Sequence, residues 1–215
     1  MRKWYPWLLV ALAAAFSAAV YGSLPERVPS HWNSEGVIDG YSDRKFAAWL
    51  MPGILIAMAL ILPRLPSIDP RRENFAKFRP TYDLVVNAIM TMIAVLHVAI
   101  LGSALGWPIS MDKLMPFMVG ALLVLLGNVM PRARSNWWFG IRTPWTLSNE
   151  RVWERTHRIG GVLFVIAGIL LMLSALVFPS GAFPMVMVTV VGASVIPFAY
   201  SYFAWRQETR RATNP

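Results

Sequence analysis

Six stretches of this chain carry no Asp, Glu, Lys or Arg: Trp4–Tyr21, Phe46–Leu62, Leu84–Leu105, Leu114–Met130, Ile159–Phe178 and Met185–Trp205. Each is 17 to 22 residues long, enough for an α-helix to cross a bilayer core about 30 Å thick. Backbone polar groups find no water there, so each stretch must satisfy its own hydrogen bonds and is expected to be a helix. The alternative, a soluble helical bundle, lacks the polar sequence to coat its surface. Charged residues make up 14% of the chain, against about a quarter in soluble domains. The expected fold is therefore all-α, a polytopic membrane protein with six spans. It divides into a unit 1–83 (spans one and two with their loops) and a unit 84–215 (spans three to six).

The net charge of +9 would suit a nucleic-acid partner, but its distribution argues otherwise. Of the 20 Lys and Arg, 16 lie in alternate connections and ends, and 4 in the others. This is the positive-inside pattern. It predicts that both termini are cytoplasmic in a bacterial inner membrane and that the excess charge meets anionic lipid. No direct contact with nucleic acid is expected. There are no cysteines, which excludes disulfides, thiol catalysis and thiolate metal sites. The first span also resembles a signal peptide, with Arg2 and Lys3 ahead of an apolar run and small residues at Ser17–Ala19. Its length and the aromatic belt of Trp4, Tyr5 and Trp7 favour a retained helix.

The outer connection 22–45 is polar and turn-rich. Pro25 and Pro29 oppose a long helix, and Gly36 and Asp39-Gly40 read as turns that can close a hairpin. Within it His31, Trp32, Asn33, Glu35, Gly36, Asp39 and Tyr41 form a candidate ligand-binding string. Trp32 and Tyr41 would stack, Asn33 would hydrogen-bond, and Glu35 and Asp39 would supply charge. A metal reading would use His31, Glu35 and Asp39, but Gly36 opposes the helix needed to align them. A folded cap with Trp32 in its core is the third reading.

The inner connection 63–83 carries five bases and reads as interfacial. Arg71, Arg72, Lys77 and Arg79 would reach lipid phosphate while Phe75 and Phe78 dip toward the acyl chains. Asp83 is expected at the start of the third helix. The second inner connection, 131–158, holds four of the ten tryptophans and six arginines. Ser148 is expected to cap a helix entering the fifth span. On that helix Glu154 with Arg158, and Trp153 with His157, are i,i+4 pairs. Its candidate residues are Arg142, Thr143, Pro144, Trp145, Trp153, Thr156, His157 and Arg158. They read as a docking surface for a cytoplasmic protein, as a phosphate site forked by Arg142 and Arg158, or as an interfacial Trp/Arg belt.

Inside the spans the polar candidates are Asn87, Thr91, His97 and Asn128. His97 is the one ionisable residue among them and is expected to bridge helices. A proton role would need a carboxylate that the spans lack. Pro52, Pro116 and Pro197 are expected to kink their helices. No nucleophile, base and oxyanion set assembles, because His31, His97 and His157 fall outside, mid-membrane and inside. No enzyme activity, cofactor or metal is expected.

The inner string Gly140-Ile-Arg-Thr-Pro-Trp-Thr-Leu147, with Val152-Trp153 and Thr156-His-Arg158, resembles the signature of the SdpI family of bacterial toxin-immunity membrane proteins. The outer string Leu24-Pro25, Val28-Pro29, His31-Trp-Asn33, Gly36 and Asp39-Gly-Tyr41 resembles the membrane domain of unknown function often found at the front of that family. Six spans with these two loops match the family plan across nearly the whole chain. The resemblance implies immunity to an extracellular membrane-active peptide. It also implies signalling by capture of a cytoplasmic winged-helix repressor. The expected function is a non-enzymatic receptor or immunity factor. It would engage a peptide toxin or lipid-like ligand outside and signal through the inner Trp/Arg loop. The alternative is a small-molecule or lipid carrier with a site near Asn87, His97 and Asn128, and a membrane enzyme is a third reading.

Overall fold

The computed structural model describes residues 4–33, 35–177 and 182–213. The ends at Met1 and Pro215, and the first half of the expected short connection 179–184, lie outside the described residues; its second half already belongs to the last helix. Eight α-helices and one two-stranded hairpin follow in the order α1 (Tyr5–Val20), β1 (Arg27–Trp32), β2 (Ile38–Asp43), α2 (Arg44–Ile61), α3 (Leu65–Ile68), α4 (Arg72–Ala104), α5 (Met111–Val129), α6 (Pro144–Ser148), α7 (Glu150–Val177) and α8 (Ala182–Thr213). Six of these helices, α1, α2, α4, α5, α7 and α8, are long and apolar enough to cross a membrane. The chain is a multi-pass membrane protein.

The six fall into two groups of three. Helix α4 packs on α1 and α2, and α7 packs on α5 and α8. Between the groups α4 touches α5 lightly, so the seam of packing runs near residues 105–110, one span later than the sequence boundary at 83. In the second group, α5 and α7 approach through paired glycines. A Cβ on Gly120 would lie 2.6 Å from the Gly168 carbonyl oxygen, and Gly127 faces Gly161 in the same way. Small residues let two backbones meet closely where lipid offers no hydrophobic drive for association.

Polar bonds tie the first group together inside the membrane. The Ser17 hydroxyl donates to the Ala48 carbonyl at 2.6 Å, so His97 Nε2, 2.7 Å away, donates to Ser17. One relay thus joins α1, α2 and α4, as expected for His97. Tyr5 likewise donates to Thr91 at 2.8 Å, because the Thr91 proton goes to the Asn87 carbonyl.

Several local expectations are corrected. In the connection 63–83, Phe75 and Phe78 do not dip toward the acyl chains. Helix α4 begins at Arg72 and has 33 residues, about 50 Å at 1.5 Å per residue, so it extends well past the bilayer core. Phe75 and Phe78 are buried and stacked, with ring centroids 4.8 Å apart. Two residues before Pro80 the helical backbone breaks, at Phe78, since the proline ring crowds the turn before it. Asp83 lies inside α4 rather than at its start and pairs with Arg79 at 2.8 Å. Ser148 closes α6, and Asn149 caps α7 by accepting from the Arg151 and Val152 amides. Pro52, Pro116 and Pro197 lie inside α2, α5 and α8, the spans where the sequence places them.

Candidate functional site

At one end of the molecule the β1–β2 hairpin lies over the seam between the two groups. Val28 is fully buried and packs with Leu24, Ala48 and Leu101, which anchors β1 on α2 and α4. At the tip, the Asn33 side chain accepts from the Glu35 and Val37 amides at 2.9 Å each, so its carbonyl oxygen shapes the turn. Gly36 has φ +78°, and a Cβ there would lie 2.8 Å from Asp112 Cβ. The glycine therefore serves both the left-handed turn and close contact with the start of α5. His31 Nδ1 meets Asp39 Oδ1 at 2.5 Å across the strands. No cluster of three or more His, Cys, Asp and Glu able to hold a metal occurs among the described residues. Tyr41 and Glu35 are exposed.

Beneath the hairpin is a cleft of about 430 Å³. Its roof is His31, Trp32, Asn33 and Gly36. Its walls come from Met51 of α2, Leu96 and Ile100 of α4, and Met111, Asp112 and Met115 of α5. Four of the seven sequence-predicted ligand residues thus share one concavity with two helices that the sequence did not connect to them. Methionines there offer flexible, polarisable packing, and Asp112 places a carboxylate at the edge.

The opposite end holds a knot made from both basic connections. Asp69 is almost fully buried and accepts from the Arg71 amide at 2.6 Å and from the Trp137 amide at 2.8 Å. The Arg71 guanidinium donates to the Ser135 hydroxyl and, at 2.6 Å, to the Leu147 carbonyl. Asn74 donates to the Ser135 carbonyl at 2.9 Å. At the centre, the Asn136 side chain makes four bonds. It donates to the Arg134 and Phe139 carbonyls and accepts from the Trp138 and Phe139 amides. A buried polar group this fully satisfied fixes one loop shape.

The family-like residues form the inside of this knot. Trp153 is fully buried, packs in the core cluster with Phe75, Phe78 and Tyr82 of α4, and donates its indole N–H to the Ala133 carbonyl at 2.8 Å. It therefore joins the second group of helices to the first. The His157 ring stacks on Trp153 with centroids 4.0 Å apart, as its i,i+4 spacing predicts. His157 Nε2 accepts from the Ile141 amide at 2.9 Å, so Nδ1 carries the proton given to the Trp153 carbonyl at 2.8 Å. The ring is fully buried with both of its nitrogens bonded. Gly140 has φ +103°, and a Cβ there would strike His157 Nε2. Thr143 caps α6 by accepting from the Thr146 amide at 3.1 Å and lies 3.0 Å from Ser201 of α8.

This arrangement corrects the reading of the whole inner string as a docking surface. Trp153, Thr156 and His157 have no exposed area and Thr143 almost none. Trp145 packs against Phe198 and Tyr202, with centroids 5.6 and 5.1 Å away. Glu154 pairs with Arg134 at 2.6 Å instead of with Arg158. Of the string, Arg142, Pro144 and Arg158 remain exposed, beside Trp137 and Trp138. One Arg142 N–H is given to the Trp137 carbonyl at 2.5 Å. The lipid-facing role given to Arg71 is likewise corrected, since both its hydrogen-bonding ends are used inside the knot. Asp69 and Asn74 carry no motif. Neither their residue type nor their spacing set them apart from Glu73 and Asp83 in the same basic connection.

The intramembrane polar set does not converge either. His97 is buried in the first group, Asn87 lines a different cleft near the basic end, and Asn128 sits exposed on α5 with its amide on the Val124 carbonyl at 2.9 Å. No carrier site forms from these three.

Comparison with known proteins adds family evidence. Residues 132–201 match the SdpI/YfhL protein family, and residues 8–56 match a domain of unknown function, DUF1648. The chain is 26% identical over 202 residues to the immunity protein SdpI of Bacillus subtilis (strain 168), covering 93% of this chain and 94% of that one. No solved structure matches.

Proposed function

The chain is an SdpI-like multi-pass membrane protein, and from that premise we propose that it is an immunity factor which engages an extracellular membrane-active peptide. The hairpin end faces outward and the basic end faces the cytoplasm of a bacterial inner membrane. The peptide, or a lipid-like molecule, inserts an apolar side chain into the cleft under Trp32, against Met51, Met111 and Met115. The observation that carries this reading is the position of that cleft. It opens where the hairpin of the first helix group meets the start of α5 in the second, between groups that touch lightly and are bonded together at the other end by the knot. A ligand that wedges the outer end apart changes the load on the knot, and it shifts the balance of states by as much as it prefers one of them. The output surface is then the exposed set Trp137, Trp138, Arg142 and Arg158, which a cytoplasmic repressor protein can read. The protein acts without an enzymatic step.

The test is a protection assay. Bacteria carrying the protein are challenged with a panel of secreted membrane-active peptides, alongside Trp32→Ala and Met115→Ala variants at equal membrane abundance. Truncating a hot-spot side chain costs about 2 kcal/mol or more, about thirtyfold in the peptide concentration tolerated. Full protection by both variants sinks the proposed cleft. Labelling of a Val37→Cys variant from the cytoplasmic side alone sinks the orientation.

A further inference from the structure

A second cleft, of about 430 Å³, opens at the basic end between α1, α2 and α4. Its lining divides by chemistry. Arg79, Asp83 and Asn87 descend one face of α4 at i, i+4 and i+8, a ladder about 12 Å long at 1.5 Å per residue. Tyr82 and Val86 flank it, and Arg64 stands opposite, just past the end of α2. Trp7, Ala59 and Leu60 complete the wall and are apolar.

Each charged group is partly committed and partly free. Arg79 uses Nε on Asp83 Oδ1 at 2.8 Å and Nη2 on the Pro63 carbonyl, leaving Nη1 among its donors. Arg64 uses Nη1 on the Leu60 carbonyl, leaving Nε and Nη2. Asp83 Oδ1 takes Arg79, leaving Oδ2 as an acceptor. The site thus offers two guanidinium groups against one carboxylate, a net charge of +1, at the level where a long apolar helix leaves the membrane. Polar rungs continue below them beside an apolar wall.

We propose that this cleft binds an acidic glycerophospholipid of the adjacent leaflet. Its phosphodiester lies between Arg64 and Arg79, a headgroup hydroxyl donates to Asp83, the glycerol esters accept from Asn87, and the upper acyl chain runs along Trp7, Leu60 and Val86. Charge decides the class. A phosphodiester with a neutral, hydroxyl-bearing headgroup carries −1 and matches the site. A choline headgroup carries no net charge and has no hydroxyl to give Asp83. The same phosphate chemistry in solution would bind without the acyl wall, and that difference is measurable.

The experiment is native mass spectrometry of the intact protein in detergent, with phosphatidylglycerol or phosphatidylcholine added in steps. Phosphatidylglycerol adducts should survive collisional activation that strips phosphatidylcholine. Near a membrane surface each basic residue is worth about 1 kcal/mol, so Arg64→Gln and Arg79→Gln should each lower phosphatidylglycerol retention about fivefold. Arg72→Gln, exposed outside the cleft, should leave it unchanged. Leu60→Trp fills the cleft while keeping both arginines and should also lower retention, which covers the case of an arginine variant that folds poorly. Equal retention of the two lipids, or an equal loss in Arg72→Gln, overturns the site in favour of a diffuse basic surface. Full competition by millimolar inorganic phosphate overturns the lipid in favour of a soluble anion.

Discussion

The hairpin end and the basic end read alike as sequences: polar connections that mix charged residues with aromatics and turn-forming residues. They fold into opposite kinds of object. The hairpin is two strands thick and anchors through Val28, while Trp32 stays partly accessible and Tyr41 and Glu35 are exposed. The knot turns its most distinctive residues inward, with Trp153, Thr156 and His157 fully buried and Asn136 bonded on every side. A string of unusual residues therefore marks a recognition surface in one place and a fold determinant in the other. What separates the two is burial, which neither residue type nor spacing records.

The largest effect is expected in the knot. Trp153→Ala removes a fully buried indole that joins the two helix groups, and truncating a buried Trp costs about 3–5 kcal/mol. Loss of a monodisperse species on size exclusion, or a steep fall in melting temperature in detergent, is the expected result. A variant that melts like the wild type breaks the view that the knot is a core.

Next comes the buried carboxylate. Asp69→Ala leaves the Arg71 and Trp137 amides without their acceptor, at about 1–3 kcal/mol for a buried unsatisfied group. Arg71→Ala is expected to destabilise comparably, while the exposed neighbour Arg72→Ala stays within about 0.5 kcal/mol. A melting series of the three variants sharpens the distinction between knot and lipid belt, because lipid contact would make Arg71 and Arg72 equivalent.

A smaller, local effect is expected at Gly36. An L-residue in a left-handed turn costs about 1–2 kcal/mol, and the added Cβ also presses on Asp112. Gly36→Ala should loosen the hairpin tip from α5 without unfolding the helices. The chain lacks cysteine, so faster thiol labelling of a Val37→Cys probe in the Gly36→Ala background reads this directly. Labelling at the wild-type rate would mean that the tip does not depend on this contact.

The smallest stability effect is expected at Tyr41, which is 53% exposed. Tyr41→Ala should move the melting temperature little, since exposed substitutions stay within about 0.5 kcal/mol. It should nonetheless weaken protection against the peptide if the hairpin surface recognises it. Equal loss of stability and protection would make the hairpin a structural cap and erase the contrast with the knot.

Much of this was determined by sequence alone, for identifiable reasons. Charge-free runs of the right length read as six membrane helices because hydrocarbon leaves the backbone no other partner. The Trp153–His157 pair was legible because helical spacing alone places residues four apart on one face. The hairpin was legible from Gly36, whose left-handed backbone the turn needs, whereas Asp39-Gly40, also read as a turn, lies inside β2 with Gly40 paired to His31. His97 as a bridge between helices followed from one ionisable residue without a charged partner in its span.

The tertiary structure decided the rest. That Arg71 holds the Leu147 carbonyl while Arg72 faces out is set by how α4 continues past the bilayer and meets residues 131–148. Two adjacent arginines are indistinguishable until that meeting occurs. Asp69, Ser135 and Asn136 became the centre of the basic end because burial makes unbonded polar groups costly, and burial is a property of the assembled chain. Asp112 of α5 reached the hairpin because Gly36 leaves room for it, a fit between segments some 75 residues apart. Local chemistry sufficed to place the helices. The two ends took their separate roles when the two groups of three packed together.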